Sequence, residues 1–193
     1  MQRSQILLTI TLSIFSSLGV ALLGPVYAIF IVNRFSASII DVGILSAIFS
    51  FVAAIFKIPA GRLTDLYGKE KIFIIGIFAG ALCSLSYIVA SNLLQLYIIE
   101  FFFGLSVALQ RPALLALTID MSDKGNRGLF LGIFESANDI ALASAALLSV
   151  VIVGKFGFEP LFLLCSSCQA TTGLFVLNKQ MRIHELVDLA GSS

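Results

Sequence analysis

Residues 61–71 read GRLTDLYGKEK, a charged segment that carries two glycines seven positions apart. It separates two apolar runs, residues 39–60 and 72–90, and each run is long enough for a helix to cross a bilayer. The whole chain of 193 residues is 59% hydrophobic and only 12% charged, whereas a soluble domain is about 45–50% apolar and about 25% charged. We therefore interpret residues 61–71 as the connection between two membrane-spanning helices.

Six apolar runs of this kind follow one another along the chain, and the connections between them are short. Because a backbone in lipid must satisfy its own hydrogen bonds, each run is predicted to be a helix. The predicted fold is an all-α, polytopic membrane domain over residues 1–178, followed by a cytoplasmic tail over residues 179–193. The predicted transmembrane helices are residues 6–32, 39–60, 72–90, 93–118, 128–153 and 160–177.

A weak internal repeat appears when the chain is divided after the third run. Pro25 and Pro112 each lie nineteen residues beyond the start of the first run in their half. Duplicated three-helix units with interrupted helices are typical of secondary transporters, so the pattern predicts a 3+3 inverted repeat.

The basic residues predict how the helices are oriented. If the N-terminus is cytoplasmic, eight lysines and arginines fall in cytoplasmic segments and two fall on the opposite side. Such a bias is typical of cytoplasmic loops, and it predicts that both termini are cytoplasmic. The eight are Arg3, Arg62, Lys69, Lys71, Lys124, Arg127, Lys179 and Arg182.

The pattern Gly61-x-Leu63-x-Asp65-x-x-Gly68-Lys69 resembles the signature loop between the second and third helices of the major facilitator superfamily. The resemblance implies a conformational lock in which Asp65 interacts with the partner half of a transporter. Acidic side chains also stabilise helix N-termini by about 0.3–1 kcal/mol. A solvated turn with cytoplasmic lysines is the alternative interpretation. The predicted lock residues are Gly61, Arg62, Asp65, Gly68 and Lys69.

Two further stretches refine this resemblance. The first helix is similar, around Gly19 and Pro25, to a motif of the superfamily's drug:proton antiporters. The fourth helix departs from the family pattern, since Glu100 stands where that pattern has arginine. The fifth helix carries Glu135 and Asp139 in place of the antiporter motif, and both departures argue against a proton-driven drug antiporter.

Charged and polar residues inside the predicted helices are candidates for substrate or proton coupling, because such groups are costly in a bilayer and usually face a cavity. Structural pairing of Arg111 with Glu135 is one alternative, since both lie at a similar depth. Another is that the carboxyls are protonated and merely tolerated by the bundle. The candidates are Glu100, Arg111, Glu135, Asn138 and Asp139.

The predicted function is transport of a small solute by alternating access, with protons as a candidate coupling ion, in a multi-pass protein of the cell membrane. The resemblance implies twelve helices in two halves, so we expect a second six-helix half from a homodimer, a split partner or a continuation of the chain. A non-transporting regulatory or assembly subunit is the alternative. The sequence predicts no enzyme activity, no cofactor, no metal site and no nucleic-acid partner, because no corresponding residue cluster is found.

Overall fold

The computed structural model describes residues 14–120, 125 and 127–191, with side chains described as far as residue 178. The described chain consists of six helices joined by short turns, and each contains a segment long and apolar enough to cross a membrane. This confirms the predicted all-α, six-helix architecture. The helices are α1 (Ile14–Phe35), α2 (Ile39–Tyr67), α3 (Lys69–Val89), α4 (Leu93–Asp120), α5 (Arg127–Phe156) and α6 (Phe158–Gly191).

The connection between α2 and α3 is much shorter than predicted. Residues 61–67 continue α2, and Gly68 alone forms the turn, with a φ of 96° that side-chain-bearing residues rarely adopt. The Gly68 N–H donates to the Thr64 carbonyl at 3.1 Å, which closes the last turn of α2. Gly61 lies within α2, so in the segment interpreted as the connection the chain turns at Gly68 and not at Gly61.

Helix α6 is also longer than the predicted span. Its apolar segment ends at Asn178, whereas the helical backbone continues to Gly191 through most of the predicted tail. A helix that leaves a bilayer keeps its own backbone hydrogen bonds, so its end need not coincide with the end of the apolar run.

The packing follows the pattern of a 3+3 repeat. Helix α2 packs along α4, and α5 contacts α1 in the corresponding place of the other three-helix unit. Helix α3 packs against α6. Exchanging the first three helices with the last three leaves this set of contacts unchanged, as an inverted repeat requires. The two prolines differ in effect, since α1 is interrupted at residues 22–23 just before Pro25, whereas α4 continues through Pro112.

Two clusters of buried apolar side chains fill the bundle. One surrounds Phe30, Tyr87 and Phe162, whose ring centroids lie 4.8–6.4 Å apart and join α1, α3 and α6. The other joins α3, α4 and α5 through residues such as Phe73, Leu114 and Phe134. Only 17% of the most apolar window of α2 and of α5 is buried, against 44–50% in the other helices. The outward faces of α2 and α5 therefore remain free to contact lipid or another membrane helix.

Candidate functional site

A cavity of about 240 Å³ lies between the first four helices, and Glu100 is its acidic residue. Glu100 projects from α4 and is only 3% exposed, although it belongs to one of the most water-seeking residue types. Aromatic rings and hydroxyls form most of the remaining lining. The cavity is lined by Val20, Leu23, Gly24, Tyr27, Ser46, Phe49, Ser50, Tyr87, Glu100 and Phe103.

Two tyrosine hydroxyls hold the Glu100 carboxyl. Tyr87 on α3 donates to Glu100 Oε1 at 2.6 Å, and Tyr27 on α1 donates to the same oxygen. The two tyrosine rings meet edge to face at 5.7 Å, and Tyr87 stacks on Phe162 at 5.3 Å. The carboxyl is thereby fixed in position by hydroxyls from two other helices.

The sequence analysis identified Glu100 but missed Tyr27 and Tyr87. Both tyrosines lie near the ends of predicted spans, where aromatic residues are common in any membrane protein. They are 73 and 13 residues from Glu100 along the chain. No local spacing in the sequence indicated that the three side chains meet.

Glu100 and Arg111 do not share a site, although both lie on α4. Arg111 is exposed, and the intervening Gly104 packs against α2. A Cβ atom at Gly104 would lie 2.7 Å from the Phe49 carbonyl oxygen, so this glycine admits a neighbouring helix and not a solute.

The polar residues of α5 have different environments. Asn138 is buried, accepts a hydrogen bond from the Ser17 hydroxyl at 2.9 Å and donates to the Phe134 carbonyl at 3.1 Å. This contact links α5 to α1. Glu135 is half-buried and Asp139 is exposed, so the structure does not bring these three residues into the Glu100 cavity.

The alternative pairing of Arg111 with Glu135 is not formed. Within the part of the chain that the structure describes, the two ion pairs are Lys69 with Asp120 and Arg34 with Glu159. Their similar predicted depth in the membrane is therefore not accompanied by an ion pair. Glu135 and Arg111 therefore keep their predicted status as separate candidates.

The 61–71 segment forms a second polar cavity, of about 460 Å³, at the junction of α2, α3 and α4. Lys69 at the start of α3 forms an ion pair with Asp120 at the end of α4. Asp65 lines the same cavity and is exposed, and Arg62 is exposed on the last turns of α2. Asp120, 51 residues from Lys69, was not among the predicted lock residues.

Gly19 and Pro25 have structural environments that explain their positions in α1. A Cβ atom at Gly19 would lie 3.0 Å from the Cys165 carbonyl oxygen and closer still to Gln169, so α1 and α6 cross here at backbone distance. Pro25 occupies the first turn of the segment Gly24–Phe35, where its missing N–H costs no helix hydrogen bond.

Two buried glutamines, also missed in the sequence, connect the helices at mid-bundle. Gln110 accepts from the Ser16 hydroxyl at 3.2 Å and donates to the Gly76 carbonyl at 3.1 Å. Gln169 is fully buried and donates to the Ser84 hydroxyl at 3.3 Å, while its Oε1 atom has no hydrogen-bond partner among the described residues. The hydrogen bonds of these amides link α1, α3, α4 and α6.

Comparison with known proteins identifies the family. The family model for the Major Facilitator Superfamily matches residues 9–177. Multidrug resistance protein 2 of Bacillus subtilis is 27% identical over 172 residues, which cover 87% of this chain and 42% of that protein. An uncharacterized MFS-type transporter of Methanocaldococcus jannaschii is 26% identical over 148 residues, covering 77% of this chain and 38% of the relative.

A third relative is multidrug resistance protein MdtG of Klebsiella pneumoniae, which is 27% identical over 128 residues, or 66% of this chain and 30% of the relative. This chain therefore spans less than half the length of the curated relatives it matches. The family match covers most of the chain and agrees with the six apolar helices and their packing. The chain belongs to the Major Facilitator Superfamily.

Proposed function

We propose that this chain is one six-helix half of a secondary transporter that moves a small organic solute across the cell membrane by alternating access. The observation that carries the proposal is the buried Glu100 carboxyl, which lines a cavity inside a membrane bundle. An intramembrane carboxyl costs about 2.5–3.5 kcal/mol on insertion scales and usually serves a pathway for a solute or proton.

The rigid setting of Glu100 supports a role in binding. Tyr27 and Tyr87 fix its Oε1 atom from two other helices, so the carboxyl is preorganised and does not need to be ordered by a ligand. The names of two relatives, both multidrug resistance proteins, support an organic solute.

The junction of α2, α3 and α4 supports a conformational role for the 61–71 segment. Lys69 and Asp120 hold the ends of α3 and α4 together, and Asp65 remains exposed beside them. An exposed carboxylate at this position is available to a second half, supplied by another copy, a partner chain or a continuation of this chain. In this proposal, Asp65 engages that half in one of the two access states.

Proton coupling through Glu100 or Asp139 completes the proposal. A carboxyl that exchanges a proton with a solute links the two movements, because each species favours a different charge on the same group. Asp139 is exposed on α5 and differs from Glu100 in having no hydroxyl donor among the described residues.

The test is flux in proteoliposomes that contain the full chain, under a proton gradient and then a sodium gradient. Uptake is measured for a panel of radiolabelled organic cations, anions and neutral solutes. We expect Glu100→Gln to abolish uptake or its pH dependence, and Glu159→Gln, a carboxylate at the start of α6, to leave it unchanged.

Two results would contradict transport. The proposal fails if the purified protein stays monomeric, pairs with no second half and moves none of the solutes under either gradient. If flux is absent and Glu100→Gln or Asp139→Asn instead prevents assembly with a partner, the chain is a regulatory or assembly subunit.

A further inference from the structure

We propose that the cavity beside Glu100 is a binding site, built within this chain alone, for a small protonated amine that retains at least one N–H bond. The claim that such an amine is the transported solute rests on the proposed function. The claim that it binds in the cavity does not. The arguments are the free oxygen of Glu100, the free hydroxyls of α2, and the size and lining of the cavity.

The two oxygens of Glu100 are used differently. Oε1 accepts from both tyrosines, while Oε2 accepts from none of the described residues. Among the described residues, the one fully buried side-chain atom without a partner is Gln169 Oε1. Oε2 of Glu100 must therefore be partly exposed, and the open space beside Glu100 is the cavity. One oxygen therefore positions the carboxyl and the other is available to a ligand's N–H donor. Hydrogen bonds of this charge-assisted kind are about twice as strong as neutral ones.

Two hydroxyls face this carboxyl from α2. Ser46 and Ser50 are four residues apart, lie on one face of the helix and line the cavity. Serines elsewhere in the bundle, such as Ser86 and Ser144, donate to the carbonyl four residues earlier. Ser46 and Ser50 make no such bond to any described residue. Their hydroxyls are free to accept the remaining N–H groups of an ammonium ion.

Aromatic rings form the walls between these polar groups. Tyr27, Tyr87, Phe49 and Phe103 line the cavity, and Tyr87 meets Phe103 edge to face at 6.3 Å. Ring faces attract cations, and this attraction strengthens when water is excluded. Among the described residues, the cavity lining contains no lysine or arginine that would neutralise an anion.

The cavity volume suits a small ion, and the exposed Gly24, Ser46 and Ser50 in its lining leave it open on one side. About 240 Å³ is below the roughly 300–1,000 Å³ of pockets for drug-sized ligands. Benzylammonium, with eight non-hydrogen atoms, is a suitable probe because it combines one aromatic ring with a primary ammonium group.

The experiment is calorimetric titration of benzylammonium into the full chain in phosphatidylcholine nanodiscs, with empty nanodiscs subtracted to remove partitioning into lipid. We expect saturable binding to one site per chain. Benzyl alcohol, which lacks the charge, and benzyltrimethylammonium, which lacks the N–H, should each bind about tenfold more weakly or worse. Equal binding of benzyltrimethylammonium would overturn the assigned hydrogen bond to Oε2.

Variants locate the site. Glu100→Gln should weaken benzylammonium binding by about tenfold or more, and Ser50→Ala by about threefold to tenfold. Ser86→Ala, which removes a hydroxyl outside the cavity, is the matched control and should bind as the unmodified chain does. Circular dichroism establishes that each variant is helical. If the unmodified chain gives no heat above empty nanodiscs, or a helical Glu100→Gln variant binds equally well, the site is wrongly assigned.

This test separates the site from transport. Benzylammonium binding without flux in proteoliposomes would leave the site intact and contradict the transporter. Flux of another solute without benzylammonium binding would support the transporter and contradict the assigned site.

Discussion

Replacing Gly104 by alanine should separate α2 from α4 beside the Glu100 cavity. The added Cβ atom would lie 2.7 Å from the Phe49 carbonyl oxygen and 3.1 Å from Val52 Cβ. Ordinary contact with a Cβ atom begins near 3.4 Å, so the oxygen is about 0.7 Å too close. Because the obstacle is the backbone of a neighbouring helix, no side-chain rotation relieves it.

The magnitude follows from two opposing terms. Alanine in place of glycine inside a helix gains about 0.5–1 kcal/mol through reduced chain entropy. Overpacking of a well-filled interior costs about 1–3 kcal/mol. Since the helix backbones must move apart, the second term is larger, and we expect Gly104→Ala to lower the free energy of unfolding by about 1–2 kcal/mol. Benzylammonium binding should weaken as well, because Phe49 lines the cavity.

The measurement is unfolding in mixed micelles of increasing dodecyl sulfate content, followed by circular dichroism. Gly43→Ala is the matched control, since Gly43 lies on α2 six residues before Phe49 and has nothing within 4 Å of an added Cβ atom. It should be neutral or slightly stabilising. If Gly104→Ala unfolds at the same detergent fraction as Gly43→Ala, the close packing of α2 on α4 does not limit stability and the reasoning is refuted.

Three further predictions concern other parts of the bundle. Gly68→Ala should lower the free energy of unfolding by about 1–3 kcal/mol because of the positive φ, whereas Gly61→Ala, inside α2, should be neutral or slightly stabilising. Both are measured by the same detergent unfolding, and equal effects would contradict the one-residue turn. Reversing the charge of Lys69 or of Asp120 alone should reduce transport, and exchanging the two residues should restore it. The free energy of unfolding should change by less than about 1 kcal/mol in each variant. If the exchange does not restore transport, the pair has no part in the mechanism. Gln169→Met should raise the free energy of unfolding by up to about 1 kcal/mol, because it eliminates a buried oxygen that has no partner among the described residues. A decrease of more than about 2 kcal/mol would contradict this interpretation of the oxygen.

The sequence predicted the six helices because each apolar run exceeds the length that a bilayer requires. It could not distinguish Gly61 from Gly68, since both are glycines in the same charged segment. Only the backbone dihedral angles show that one continues a helix and the other turns the chain. Helix ends are set by such local conformations, which composition does not encode.

The candidate site was predictable in part. Glu100 was found because an acidic residue in an apolar helix is conspicuous, but its partners Tyr27 and Tyr87 are ordinary residues until folding brings them together. The Arg111–Glu135 pairing was inferred from depth, which fixes position along the membrane normal. It leaves the rotation of each helix undetermined, and the two side chains form no ion pair with each other.

The polar groups inside the bundle fall into two classes, and the difference bears on the second half. Glu100 and Asn138 are buried and hydrogen-bonded within this chain, Glu100 through its Oε1 atom. Arg111 and Asp139 are exposed on apolar helices and have no ion-pair partner among the described residues. Since each such charge costs about 2.5–3.5 kcal/mol in lipid, we expect the surfaces that carry them to meet a second half or a water-filled pathway. In the proposed mechanism, the buried acid binds the solute and the exposed charges serve assembly or coupling.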